Sequence, residues 1–207
     1  MRLKKTGSIF DEILGGGIPA GSIIFFSADP SLPSEQILYN LCASRKTYYL
    51  VTERHPKRVE EEISAAGFSN IEVIDLRDCN TFKILEVLDV ADDANIVIDT
   101  FLPFINDAAL LENIVEVSGS DKDILLYLCI PKGSCEETAL SRLIYICDVF
   151  MDIRAERTGD EIIVKFAAPK IRGATPLTKY VRLKIHLTVL KLTHQGTSFD
   201  QKGISLS

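Results

Sequence analysis

Three groups of residues in this sequence have the types and placement for chemistry on a phosphate or another anion. The first lies in the stretch 14–41, LGGGIPAGSIIFFSADPSLPSEQILYNL. A glycine-rich turn leads into the apolar run Ile23–Phe26, a loop follows, and Ile37, Leu38 and Leu41 begin a helical stripe. Strand, loop and helix in that order aim backbone N–H groups and a helix N-terminus at one point, where a phosphate can be held. The second group is a pair of acids, Glu53 and Asp99, each at the C-terminal end of an apolar run, which is the functional edge of a parallel sheet. The third is cationic. Between Ile162 and Phe199 stand seven Lys/Arg (Lys165, Lys170, Arg172, Lys179, Arg182, Lys184, Lys191) and no acid, with His186 and His194 in the same stretch. In a chain of net charge -6 this asymmetry marks a cationic edge. It suits solvent-facing charge on antiparallel strands, and equally a salt-sensitive contact of residues 165–191 with nucleic-acid phosphates. Few aromatics accompany it, Phe166 and Tyr180 being the exceptions, so stacking on single strands is disfavoured.

The elements that must position these groups follow from the hydrophobic pattern. Residues 1–14 carry a short helical pattern with Ile9, Phe10, Ile13 and Leu14 on one side, ended by Gly15–Gly17. The triple glycine precedes the strand, whereas a phosphate loop must follow one, so it is a turn. Strands are expected at 47–52, 71–76, 95–99 and 123–130, alternating with helices at 56–66, 81–90, 104–117 and 136–147. That alternation implies βαβ units and a parallel sheet covered on both faces, and the near-continuous apolar strands fit burial on both sides. From Asp148 the rhythm changes. DVFMDIRAE and DEIIVKFAA around Thr158-Gly159 read as a hairpin, and residues 179–192 add one or two strands, an antiparallel extension of the sheet. The polar residues 193–207 read as a weakly ordered tail.

Composition bounds the rest. The chain has 207 residues, enough for a sizeable core and expected to form one domain over 1–207, with 46% hydrophobic and 25% charged residues. Five cysteines without a C-x-x-C pair, mostly in apolar segments, read as reduced structural thiols. No run approaches a membrane span and no signal-peptide pattern opens the sequence, so a cytoplasmic protein without a membrane partner is expected. His55, His186 and His194 have no metal-ligand spacing, and G-x-S-x-G is absent.

Thr6-Gly7, the run Phe10–Pro19 (FDEILGGGIP) and Gly21-Ser22 together resemble the start of the RecA superfamily, particularly its KaiC/RadA-like branch. The similarity continues through Val51-Thr52-Glu53, Asn95–Thr100 (NIVIDT), Asp148-Val149-Phe150 and Lys170-Ile171-Arg172-Gly173, over roughly residues 6–175. The resemblance implies an α/β RecA-like P-loop NTPase fold, mainly parallel and flanked by helices, with antiparallel C-terminal strands. It implies that Glu53 stands where the family carries its catalytic glutamate and Asp99 where the metal-linked aspartate sits. Lys170 and Arg172 then match a K-x-R-G that extends toward a neighbour's nucleotide.

The departure from the family lies in the loop. Laid on G-x-x-x-x-G-K-[ST], the sequence reads Ala28-Asp29-Pro30-Ser31-Leu32-Pro33-Ser34-Glu35, without either glycine, the lysine or the metal-binding hydroxyl residue. Pro33 has no N–H, Ala28 resists the positive φ open to glycine, and Ser34 carries no charge to meet phosphate. Glu35 and Asp29 add carboxylates, each costing roughly 3 kcal/mol against a phosphate charge at ~5 Å and an effective dielectric near 20. As a helix start the same residues make sense: Ser31 as cap, Pro33 in the first turn, and Glu35 near the positive end of the dipole. The expectation is a degenerate Walker A loop, no cofactor and no metal, in a non-catalytic domain acting through a homo-oligomer or an active KaiC/RadA-like paralogue. Two alternatives remain: a weak ATPase that uses Glu53 and Asp99 with ATP and magnesium, with Glu35 as a candidate for binding a divalent ion, and a DNA-repair or recombination accessory binding through 165–191.

Overall fold

The computed structural model describes residues 2–119, 122–184 and 193–195. The short pair β1 (Leu3–Lys4) and β2 (Ile18–Pro19) is antiparallel and brackets helix α1 (Phe10–Ile13). The alternating part then runs β3 (Ile23–Ala28), α2 (Ser34–Leu41), β4 (Thr47–Val51), α3 (Pro56–Ala65), β5 (Ile71–Asp75) and α4 (Thr81–Val90). It continues with β6 (Asn95–Ile98), α5 (Ala108–Ser118), β7 (Leu125–Pro131) and α6 (Glu137–Ile146). Strands β8 (Val149–Thr158), β9 (Glu161–Ile171), β10 (Leu177–Lys184) and β11 (Thr193–Gln195) complete the chain.

One sheet of order β11-β10-β9-β8-β3-β7-β6-β4-β5 collects all but the first pair. Strands β8, β3, β7, β6, β4 and β5 are parallel, and β9, β10 and β11 add antiparallel. The layers follow from the period-two alternation of the central strand. Ile24, Phe26 and Ala28 face the core under α2 and α3, with Phe10, Ile37, Leu38, Val59 and Ile63. Ile23 and Phe25 face the opposite core under α4, α5 and α6, with Ile84, Leu88, Leu110, Ile114 and Leu143. Every residue of β3 and β6 is buried, as strands covered on both sides must be. The expected α/β architecture with a mainly parallel sheet is the one observed, and the hairpin at Thr158-Gly159 joins β8 to β9 as expected.

Three expectations need correction. The helix expected across residues 1–14 shrinks to Phe10–Ile13, because Asp11 turns its carboxylate back to the N–H groups of Thr6 (2.6 Å) and Gly7 (3.1 Å). That side chain satisfies an extended approach segment and leaves no donors for an earlier helical turn. Helix α5 starts four residues later than expected, since a 3-10 turn at Leu102–Phe104 precedes it and Asp107 caps it through the Leu110 N–H at 2.9 Å. The polar tail opens with a strand, as Thr193–Gln195 pairs with Arg182–Lys184. Residues 185–192 and 196–207 lie outside the described residues.

The N-terminal ends of the central strands are fastened by one aspartate. The Ile23 N–H donates to Asp148 Oδ2 at 2.9 Å, Arg172 meets Oδ1 at 2.7 Å, and the Asp148 backbone bonds Ile23 on one side and Arg172 on the other. The triple glycine is the turn expected of it, all three residues taking positive φ. At Gly17, with φ 133, an added Cβ would lie 2.4 Å from the Lys4 carbonyl oxygen. Gly17→Ala is therefore expected to lower stability by about 3 kcal/mol, combining strain in a glycine-only region with a backbone clash. Urea unfolding checks this, and a midpoint equal to the wild type would remove the constraint assigned to this turn.

Candidate functional site

Parallel strands whose helices leave on opposite faces open a crevice at their C-terminal ends. Here β3 and β4 lead to α2 and α3 on one face, while β7 and β6 lead to α6 and α5 on the other. The resulting cleft, of about 260 Å3, brings together Ala28, Ser34 and Glu35 with Glu53, Arg54, Asp99 and Thr100. The loop and the two strand-end acids, far apart in sequence, thus share one site.

The loop is closed on itself. Ala28 belongs to the strand, paired with Pro131 and Ile153, and its carbonyl accepts from Lys132 N–H at 2.8 Å. Beyond it, the Asp29 N–H donates to Ile153 O (3.1 Å), Leu32 N–H to Asp29 O (3.0 Å) and Ser34 N–H to Leu32 O (2.8 Å). Asp29 Oδ1 accepts from both the N–H (3.0 Å) and the hydroxyl (2.6 Å) of Ser31. Those hydrogen bonds hold the Asp29 carboxyl below its usual range. Pro30 and Pro33 have no N–H to offer. No residue from Ala28 to Glu35 takes a positive φ, so the N–H groups do not turn inward as a nest.

The expected cap is corrected here. Ser31 does not cap α2: its hydroxyl points back to Asp29, and Pro33 occupies the N-cap position without a side-chain bond. The aspartate is the stronger acceptor and lies only two residues away, so it captures the serine in a local turn. Glu35 does fall in the first turn of α2, as expected.

Asp99 is enclosed by groups that the sequence did not single out. Tyr49 OH donates to its Oδ1 at 3.0 Å and Arg54 Nε to its Oδ2 at 3.0 Å. Arg54 also reaches Glu62 at 2.8 Å and the Tyr49 oxygen at 3.2 Å. Burial works against the Arg54 charge, yet Tyr49, Asp99 and Tyr39 around it hold its proton affinity above the ordinary value. The neighbouring Thr100 hydroxyl faces the Leu102 N–H at 3.4 Å. Glu53 stands exposed at the rim. One signal for Arg54 was available, its position directly after Glu53. Tyr49 became legible only with the register, since it pairs with Val97, two residues before Asp99.

Lys170 and Arg172 lie at the other end of the sheet. Since Ile171 pairs with Val149 at the start of β8, both stand on the order of 13 Å from the cleft, a span of about four strand residues. Lys170 Nζ donates to the Ile144 and Tyr145 carbonyls (2.6 and 2.9 Å) at the C-terminus of α6, where a cation also suits the helix dipole. Among the described residues no group of three or more His, Cys, Asp or Glu is gathered as a metal site, and no helix is long and apolar enough to cross a membrane.

Residues 3–193 match the family described as "Family of unknown function (DUF7125)". The chain belongs to that family. No curated protein matches the sequence. Among solved structures, the KaiC-like protein PH0186 of Pyrococcus horikoshii OT3 superposes with a TM-score of 0.75 at 14% identity, covering 93% of this chain and 99% of that one. The flagellar accessory protein FlaH of Methanocaldococcus jannaschii gives a TM-score of 0.75 at 14% identity over 95% of this chain and 99% of its own. At that identity the likeness establishes the fold, and this DUF7125 chain has the RecA-like α/β fold of its KaiC-like neighbours.

Arg54 joins two carboxylates and a phenol in a half-buried setting, so its removal leaves Asp99 without a countercharge, whereas Glu62 keeps Arg58. Arg54→Ala is expected to cost about 2 kcal/mol, below the range for fully buried pairs because water reaches the group. Arg54→Lys should recover only part of this, as it lacks the planar fork. Urea midpoints at constant m report both, and an unchanged midpoint in Arg54→Ala would show that the cluster contributes nothing to folding.

Proposed function

We propose that this chain is a non-catalytic RecA/KaiC-like domain, a pseudo-ATPase that acts through subunit assembly or by regulating an active paralogue. The observation that carries this reading is the closed loop: the N–H groups of Asp29, Ser31, Leu32 and Ser34 all donate within the protein, and Pro30 and Pro33 have none. An incoming phosphate would have to break those bonds without a lysine to compensate and beside the carboxylates of Asp29 and Glu35. The arginine at Asp99 adds to this, because Arg54 and Tyr49 take up both oxygens of the carboxylate that the family resemblance assigns to a metal. The residues present therefore do not fit a magnesium nucleotide.

Lys170 and Arg172 are too far from this chain's own cleft to serve it, so any nucleotide they reach belongs to a neighbour. Arg172 is the better candidate for that role, with its side chain 63% exposed beside Asp148. Lys170 would first have to leave two carbonyls. The nucleic-acid alternative is weakened by the same pairing, since Lys165 is also engaged, with Glu156. A weak ATPase is the second reading, and one observation favours it: the cleft still holds about 260 Å3 bordered by Glu53, Asp99 and Thr100.

Calorimetry of the full chain with ATP and ADP in magnesium decides between them. No heat of binding at low micromolar nucleotide is expected. Low-micromolar affinity abolished by Asp99→Ala would sink the non-catalytic reading in favour of the second. Sedimentation velocity addresses assembly: a strict monomer over the accessible concentration range, with no effect on the ATPase rate of KaiC/RadA-like proteins, would count against the proposed mode of action.

A further inference from the structure

Large apolar side chains stand in solvent on one face of the sheet. Among the described residues they are Phe82, Val90, Val115, Tyr145 and Ile162. Four of the five belong to α4, α5 and α6, which cover one side, and Ile162 lies beside the hairpin of β8 and β9. Helices α2 and α3 on the other side expose none. Apolar side chains gathered on one face in this way mark an interaction surface.

Between α5 and α6 that face opens into a groove of about 390 Å3, lined by Leu111, Glu112, Val115, Glu116, Arg142 and Ile146. Leu111, Val115 and Ile146 give it an apolar lining, and its two walls differ in charge. Glu112 and Glu116 stand one turn apart on α5, and Arg142 stands on α6. All three are exposed, and none has an ion pair or side-chain hydrogen bond among the described residues. Tyr145 follows Arg142 by three residues, on the same side of α6, with 82% of its surface exposed. One patch therefore carries an apolar knob and an apolar hollow, an acidic wall and a basic one. Such a patch is complementary to itself.

We infer that the α5–α6 groove is the contact surface between two copies of this chain in an isologous dimer. Both helices return between parallel strands and so run in the same direction. A two-fold axis along the groove then lays α5 of each copy on α6 of the other at the same height. Arg142 meets Glu112 and Glu116 of the partner subunit with its fork of donors, and Tyr145 covers the partner's Leu111 and Val115. Symmetry makes each contact twice. Helices of 11 and 10 residues, about 15 Å long and ~10 Å apart, form a patch at the small end of specific interfaces, so the dimer is reversible. The inference rests on the assembly reading given above in requiring self-association, and it adds the surface and the partner.

Sedimentation velocity of the full chain, from micromolar to millimolar concentration, tests it. A monomer–dimer equilibrium is expected, weakened about tenfold by Tyr145→Glu, by Arg142→Glu and by the double variant Glu112→Arg/Glu116→Arg. An equimolar mixture of the Arg142→Glu chain and the double variant should recover wild-type association, because both contacts of the mixed dimer again join opposite charges. Ile162→Ser, on the hairpin, should leave association unchanged. The substituted side chains are all exposed, so the fold is retained, and urea midpoints verify this. A strict monomer, association indifferent to Tyr145→Glu or Arg142→Glu, a mixture no better than its components, or an equal loss in Ile162→Ser would each overturn the proposal. Of these, only the monomer also removes self-assembly as the mode of action; an assembly indifferent to the substitutions removes this surface alone.

Discussion

A helix that begins at the end of a buried parallel strand exposes N–H donors at a point where the sheet has no acceptors left to give. The C-terminal edge of this protein depends on how that need is met. Asp29 and the carbonyls of Ile153 and Leu32 supply acceptors from within, and two prolines remove donors that would otherwise require them. A loop satisfied in this way is stable without a ligand, because every donor already in a bond would have to be uncoupled before it could serve an anion. The same bonds draw Ala28 into the strand and tie the loop to β8, so the sheet and the loop reinforce each other.

Charge in the cleft is settled in the same internal manner. Asp99 is a carboxylate at the end of a fully buried strand, a position that demands compensation. Arg54 supplies it from the neighbouring strand end, and passes the connection on to Glu62 of α3 and to Tyr49. The arginine thus fastens a helix to the sheet while neutralising the acid. On the opposite face Asp152 makes a comparable demand, answered by Lys132, Arg154 and Tyr180.

The cationic stretch near the C-terminus shows how pairing alters a charge count. Lys165, Lys170 and Arg172 stood out together in the sequence, but in the fold each has an internal partner: Glu156, the end of α6, and Asp148. No acid lies between Ile162 and Phe199, and their partners come from α6, from β8 and from the residue just before it. The strand pairing that brings Glu156 beside Ile163, and Asp148 beside the end of β9, cannot be read from a local count.

Much of the architecture was legible because burial on both faces imposes a pattern on the residues themselves. The apolar runs of β3, β6 and β7, their alternation with amphipathic segments and the glycine turn at Gly15–Gly17 determine a parallel α/β sheet with an antiparallel extension. The loop substitutions at Ala28–Glu35 were equally visible, since the loss of glycine and lysine and the presence of proline have local consequences. Tertiary structure decided which partner each polar group takes. Ser31 was a reasonable cap by spacing, but Asp29 holds it. Asp99 was visible as a strand-end acid, but only the register of β4 against β6 delivers its partners Tyr49 and Arg54. Backbone preference and hydrophobic period act over a few residues and are written in the sequence. Hydrogen bonds and ion pairs join atoms across strands and helices, and their choice is made only when the sheet has brought those atoms within about 3 Å.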